Sequence, residues 1–174
     1  KFISQLKKFK HVQLNVSIDG IYEYYEYVRN PAKWETIEKN FDLLLTQTEN
    51  TDTIECGISS TLQNLTVPAV LPLLRWADSK NLRVQMHTVD FPVFLQPDVM
   101  PEKEYDEFLL EMQKELPNIG INTWALQETI SFLAGNRKNL TNIHLQKQFV
   151  SKQLLLDKIR NQNLFETHPW AKNI

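Results

Sequence analysis

Three segments of the chain alternate between apolar and polar residues with the period of a β-strand. They run from Val12 to Asp19, from Ile54 to Thr61 and from Leu82 to His87. Because successive side chains on a strand point to opposite faces, each segment has one apolar face and one face of polar or small residues. The pattern therefore predicts three strands that repeat one design.

The segments between these strands have the spacing of amphipathic helices. After an aromatic, acidic connector, Asn30-Pro31 is predicted to open a helix with an apolar stripe of Trp34, Ile37 and Phe41, and a second helix is predicted after Thr66. Strands that alternate with helices favour βαβ units and a parallel sheet. The alternative is an antiparallel α+β sheet with one solvated face, against which the helical connectors argue.

Polar faces on all three strands are unusual for a parallel sheet, because strands covered on both sides normally read as continuous apolar runs. They predict a partial barrel or an open sheet around an occupied hollow. From about residue 93 onward the pattern becomes helical, with helices predicted near residues 104–116, 123–134 and 142–163. The predicted division is therefore residues 1–92 for the strand-containing part and 93–174 for a helical extension.

Composition narrows the classes of function. A net charge of −2 and a pI near 6.1 over 174 residues produce no positive electrostatic field that would attract nucleic acid or anionic lipid, so neither is predicted as a partner. Cys56 is the only cysteine, so no disulfide and no cysteine-rich metal site is predicted on this chain. No apolar run approaches the roughly 20 residues of a membrane helix and no signal peptide is recognisable, so a cytoplasmic protein is expected.

Chemistry-bearing residues lie at the carboxyl ends of the predicted strands, where open α/β sheets and α/β barrels bind ligands. Ser17 and Asp19 share one strand face, so a hydroxyl and a carboxylate converge beside Gly20, which permits a tight exit of the backbone. The alternative for Asp19 is a turn cap, since Asp-Gly is a common turn dipeptide. Arg29 could clamp a carboxylate over the site, and the alternative is a solvated surface arginine.

Asn64 follows the second predicted strand and His87 ends the third, so both belong to the same rim if the sheet is parallel. A single histidine on a strand is more often structural than catalytic. The chain contains no Ser-His-Asp arrangement, P-loop, dinucleotide-binding glycine motif or metal-ligand spacing. A self-contained hydrolase or kinase is therefore not supported.

Three stretches resemble a known family. The run VSIDGIYEYYEYVRNPAKWETIEKN is similar to the fourth strand, following loop and next helix of radical S-adenosylmethionine (radical SAM) proteins of the twitch/SPASM-related branch. ISSTLQNLTVPAVLPLLRWA resembles the fifth strand of that branch with its Asn and its Leu-Pro helix, and LDKIRNQNLFETHPW resembles the carboxyl terminus of twitch-type members. The resemblance covers residues 1–92 and, more loosely, the tail.

The resemblance implies the carboxyl-terminal half of a partial (β/α)6 TIM-like barrel, with the helical extension in place of an auxiliary-cluster domain. It implies S-adenosylmethionine as cofactor, a [4Fe-4S] cluster that generates a 5′-deoxyadenosyl radical, and a peptide or protein side chain as the substrate class. By similarity, Ser17 and Arg29 contact the methionyl carboxylate, Asp19 and Asn64 contact polar groups of the cofactor or substrate, and the backbone near His87 contacts the adenine.

The chain departs from the family pattern because it lacks the CxxxCxxC cluster loop and the Gly-Gly-Glu-type segment. Radical chemistry is therefore not expected of this chain alone, and the cluster ligands are expected in a missing amino-terminal half. The alternative is a non-catalytic half-barrel that binds a ligand or a partner. In either case an incomplete barrel predicts self-association or poor solubility, because its first strand has an unpaired edge.

Overall fold

The computed structural model describes residues 2–49, 51, 53–137 and 142–174. Within these residues the chain forms three strands and eight α-helices, joined by short 3₁₀ turns. In chain order they are α1 (Phe2–Leu6), β1 (Val12–Ser17), α2 (Tyr22–Val28), α3 (Trp34–Thr48), β2 (Ile54–Leu62), α4 (Val70–Ser79), β3 (Arg83–Thr88), α5 (Glu102–Glu115), α6 (Thr123–Asn136), α7 (Ile143–Arg160) and α8 (Leu164–Thr167).

The three strands form one parallel sheet in the order β1-β2-β3. The prediction of an α/β protein with a parallel sheet is confirmed, and the antiparallel alternative is wrong. Parallel neighbours need a crossover connection, and the helices between the strands supply it. All three carboxyl ends therefore lie at the same edge of the sheet, which we call the carboxyl rim.

The two faces of the sheet differ as the alternation predicts. On the helix-covered face Ile58, Leu62 and Val84 are buried in the core. The opposite face, which we call the open face, carries exposed polar residues of β1 and β3 and the small or polar residues of β2. Its side chains contact one another across the strands, since Asn15 Nδ2 donates to Gln85 Oε1 at 3.4 Å.

Glycine at position 57 makes this cross-strand contact possible. A Cβ on Gly57 would lie 2.7 Å from Asn15 Oδ1 and 3.3 Å from the carbonyl oxygen of Arg83. Any larger residue would displace the Asn15 side chain from the middle of the open face. The absence of a side chain on the central strand thus allows polar groups of its two neighbours to meet.

Two local predictions are wrong in detail. Residues 22–28, expected as a connector, form helix α2, and α3 begins at Trp34 rather than at Asn30-Pro31. The Glu26 carboxylate of α2 accepts a hydrogen bond from the Trp34 N–H at 3.0 Å and therefore caps α3 from a neighbouring helix. Lys33 binds the same carboxylate at 2.7 Å.

The tail contains the three long helices that the pattern predicts, here α5, α6 and α7, and it packs on the sheet-containing part in one continuous core. Tyr27 donates its hydroxyl hydrogen to Asp157 at 2.9 Å, and His168 Nε2 lies 2.8 Å from the carbonyl oxygen of Leu65. Gln162 also donates to the carbonyl oxygen of Glu26 at 3.1 Å. In the part of the chain that is described, no helix has the length and apolar character to cross a bilayer.

Candidate ligand site at the carboxyl rim

Ser17, Asp19 and Arg29 come together at the end of β1. Arg29 donates from Nε and Nη2 to Asp19 Oδ2, at 2.9 and 2.5 Å, and its Nη2 also donates to Ser17 Oγ at 3.0 Å. Asp19 is only 4% exposed, whereas 42% of the Arg29 side chain is exposed. We call these three residues the rim cluster.

Asp19 also ties two strands together, because its Oδ1 accepts a hydrogen bond from the Thr61 N–H of β2 at 2.7 Å. Both carboxylate oxygens are therefore engaged by the protein, one by Arg29 and one by the backbone. A buried carboxylate is stable only when it is paired and hydrogen-bonded in this way. The structure thus places Asp19 as the residue that positions Arg29.

Gly20 lets the chain turn directly after Asp19. Its φ of +87° lies in the region that favours glycine, and a Cβ at this position would approach the Ala69 Cβ to 2.9 Å. The Asp-Gly pair is therefore a tight turn, and Asp19 acts as well in the ion pair. The Asp19 carboxylate accepts from Arg29 and from the Thr61 N–H and not from the turn that follows it, so the structure shows an ion pair at this position rather than a turn cap.

Asn64 lies at the same rim but makes different contacts. Its N–H donates to the carbonyl oxygen of Leu95 at 2.9 Å and its Nδ2 donates to the carbonyl oxygen of Phe94 at 3.0 Å. The side chain is fully buried, and its Oδ1 has no hydrogen-bond partner among the described residues. Asn64 joins the loop after β2 to the loop after β3, and no hydrogen bond connects it to the rim cluster.

His87 is exposed on the open face and is the register partner of Thr61. Thr61 thus stands between the rim cluster on one side and His87 on the other. His87 also lines a groove of about 660 Å³ between β3 and α6, together with Asp90, Glu128 and Trp124. Of the five predicted site residues, three form one hydrogen-bonded cluster at the end of β1, and His87 on β3 is separated from it by β2.

Two residues that the sequence analysis did not identify shape the β3 side of the open face. Trp124 is 63% exposed and lines both the groove beside His87 and a second groove of about 570 Å³ along the open face. Asn122 accepts from the Val84 N–H at 2.8 Å and donates to the Leu82 carbonyl oxygen at 2.9 Å, so it covers the outer edge of β3. Neither residue is near β3 in sequence, and no local pattern marks them.

The residues that the structure describes include no group of three His, Cys, Asp or Glu side chains that could hold a metal ion. The Cys56 side chain lies on the helix-covered face of β2, and its Sγ is 3.6 Å from Thr48 Oγ1. At the rim, the exposed cationic group is the Arg29 guanidinium.

Comparison of the chain with protein-family models, with curated proteins and with solved structures finds no match.

Proposed function

We propose that the carboxyl rim binds a small ligand through its carboxylate, and that S-adenosylmethionine is that ligand. The observation that carries the proposal is the rim cluster, in which a buried carboxylate fixes an arginine whose side chain remains 42% exposed. A guanidinium fixed by two hydrogen bonds loses little further freedom on binding, and arginine pairs favourably with carboxylates. The sequence resemblance selects S-adenosylmethionine among carboxylate ligands.

The residues present fit part of this cofactor. Arg29 and Ser17 would contact the methionyl carboxylate, and the buried, unpartnered Oδ1 of Asn64 is an acceptor that a ligand or water donor could satisfy. Asp19 is a positioning residue in this proposal, because both of its oxygens are already bonded.

The [4Fe-4S] cluster does not fit this chain. The sequence contains one cysteine, whereas such clusters are bound by several thiolates. Cluster ligands would have to come from another polypeptide segment, so no radical step is assigned to residues 1–174. We propose that residues 1–92 form half of a (β/α)6 barrel and that the open face of the sheet lines the barrel interior. The substrate class in this proposal is a peptide side chain.

Calorimetric titration tests the ligand proposal. S-adenosylmethionine and S-adenosylhomocysteine carry the carboxylate, whereas 5′-methylthioadenosine lacks it, so only the first two should bind. Arg29→Gln should weaken binding by roughly tenfold to a hundredfold, as expected for loss of a charge-assisted hydrogen bond. Arg75→Gln is the matched control, because Arg75 also pairs with a carboxylate, that of Glu115, on another part of the surface.

Binding of 5′-methylthioadenosine as tight as that of S-adenosylmethionine would show that the rim does not recognise the ligand through its carboxylate. Absence of binding by all three compounds would overturn it. Equal loss in Arg29→Gln and Arg75→Gln would show that a general effect of charge, rather than the rim cluster, determines affinity.

A second candidate function is an interaction domain completed by another chain. Among the described residues, β1 pairs with a strand, β2, on one side only. Val12 and Ile18 donate their N–H groups toward β2, at 2.7 Å to the Thr53 carbonyl oxygen and 3.0 Å to that of Ser59. Because alternate N–H groups of a strand point in opposite directions, the N–H of Gln13 points to the free edge.

Sedimentation velocity distinguishes this candidate. Association of the wild-type chain that disappears in Gln13→Pro would support pairing at the β1 edge, since proline removes a donor there without removing a β1-β2 hydrogen bond. A monomeric wild-type chain at high concentration would contradict self-association.

A further inference from the structure

Helix α7 buries two polar residues beside the apolar Phe149 and exposes large apolar residues. Gln153 and Asp157 are buried, whereas 55% of Leu155 and 74% of Ile159 are exposed. Asp157 is satisfied inside by Tyr27 and by the Leu164 N–H, at 2.9 and 2.6 Å. The usual amphipathic arrangement of a surface helix is therefore partly inverted on α7, and an exposed apolar stripe remains.

Beside this stripe lies a groove of about 710 Å³ between α7 and the residues that follow α8, which we call the α7 groove. Val150, Leu154 and Phe165 are half-buried members of its lining. The groove is more than 100 residues from Asp19 in sequence and shares no lining residue with the two grooves beside the open face.

The charged side chains that line the α7 groove are all lysines. Lys147, Lys152, Lys158 and Lys172 line it, and its lining contains no Asp or Glu side chain. None of the ion pairs among the described residues involves these four lysines. In a chain with net charge −2, four exposed lysines around an apolar floor form a local field that favours an anion.

We propose that the α7 groove binds an acyl chain with an anionic head group. The apolar floor would contact the methylene chain, and the surrounding lysines would bind the head. From Lys147 to Lys158 the helix rises about 16 Å, roughly the length of an extended twelve-carbon chain. Complementary charge and a concave apolar floor together define this ligand class, whereas a flat membrane surface would not require the concavity.

The proposal is tested on the full chain with dodecanoate below its micelle concentration, followed by isothermal calorimetry. Dodecyltrimethylammonium of the same chain length should bind at least tenfold more weakly. Decanoate should bind more weakly than dodecanoate, by up to about fourfold for each methylene removed if the chain is fully covered.

The variant Lys152→Glu with Lys158→Glu should weaken dodecanoate binding by about tenfold or more, because it reverses two charges of the groove. Lys7→Glu with Lys8→Glu makes the same change of net charge at exposed positions near the first strand and should leave binding unchanged. All four positions are exposed, so these variants are expected to fold.

Binding of the cationic amphiphile equal to that of dodecanoate, or an equal loss in both double variants, would overturn the proposal. Binding to anionic phosphatidylglycerol vesicles without binding of free dodecanoate would also overturn it, in favour of a membrane surface. Stable binding of dodecanoate together with vesicle binding would identify lipid acyl chains as the source of the ligand.

Discussion

His168 should make the stability of the protein depend on pH below neutrality. The side chain is fully buried, its Nε2 hydrogen is donated to the Leu65 carbonyl oxygen at 2.8 Å, and its Nδ1 has no partner among the described residues. Rings of Tyr24, Tyr27 and Trp170 surround the imidazole at centroid distances of 5.4, 5.0 and 6.0 Å. A proton added at Nδ1 would therefore enter an aromatic environment without an acceptor.

Burial lowers the pKa of His168 to about 4 from its ordinary 6.5, against smaller opposing effects of the Leu65 carbonyl and the Asp157 carboxylate. The unfolded chain takes up this proton first as pH falls, so the contribution is complete above pH 6.5 and is lost between pH 6.5 and 4. A difference of about 2.5 pKa units corresponds to about 3.4 kcal/mol in total, with a steepest slope of about 1.2 kcal/mol per pH unit.

Urea unfolding followed by tryptophan fluorescence at pH 7.5, 6.5, 5.5 and 4.5 measures this contribution. Other groups titrate over the same range, so the informative quantity is the difference between wild type and His168→Gln, which retains a donor but cannot be protonated. That difference should shrink by about 2.5 kcal/mol from pH 7.5 to 4.5, because the folded-state pKa of about 4 lies below the end of this range. His144→Gln removes an exposed histidine and should keep the wild-type slope.

The reasoning would be refuted if the free energy of unfolding of His168→Gln depended on pH as steeply as that of wild type between pH 6.5 and 4.5. It would mean that the buried imidazole is not the group whose protonation is coupled to unfolding. The same conclusion would follow if His144→Gln reduced this pH dependence as much as His168→Gln does.

The remaining predictions concern the geometry of the sheet. Gly20→Ala should reduce the free energy of unfolding by about 2 kcal/mol, because it places a Cβ 2.9 Å from the Ala69 Cβ at a residue with positive φ. The control Gly135→Ala should be neutral or stabilising, because a Cβ there meets nothing within 4 Å. Equal urea midpoints for the two variants would contradict this prediction. Asn122→Ala should lower the free energy of unfolding by about 2 kcal/mol, since it leaves buried backbone groups at the β3 edge unpaired. The control Asn118→Ala removes one exposed hydrogen bond and should lower it by under about 0.5 kcal/mol in the same assay. An equally small loss in Asn122→Ala would show that water satisfies these backbone groups.

The strands were predictable because their signal is local. The alternation of β2 between Ile54, Cys56 and Ile58 on one side and Glu55 and Gly57 on the other follows from backbone geometry alone. The rim cluster was predictable for a related reason, since Ser17, Asp19 and Arg29 are within twelve residues of one another and at one strand end.

Features that depend on distant partners were not predictable. The start of α3 is determined by Glu26 from another helix, and residues 22–28 become helical without a capping side chain. Asn64 was placed at the rim correctly, but its partners at positions 94 and 95 could not be read from its own surroundings. The role of His168 depends on a carbonyl group 103 residues earlier in the chain.

The contacts between α2 and the tail also determine when the fold can be completed during synthesis. Tyr27 and Asp157 are 130 residues apart, and Glu26 and Gln162 are 136 residues apart. Loop closure over such separations slows folding, because the entropy of the intervening chain is lost before the contact forms. While residues 150–168 are still inside the ribosome, α2 lacks these partners and the Tyr27 side chain remains uncovered. The emerging sheet and α2 are therefore most exposed to aggregation or chaperone binding before this segment leaves the ribosome.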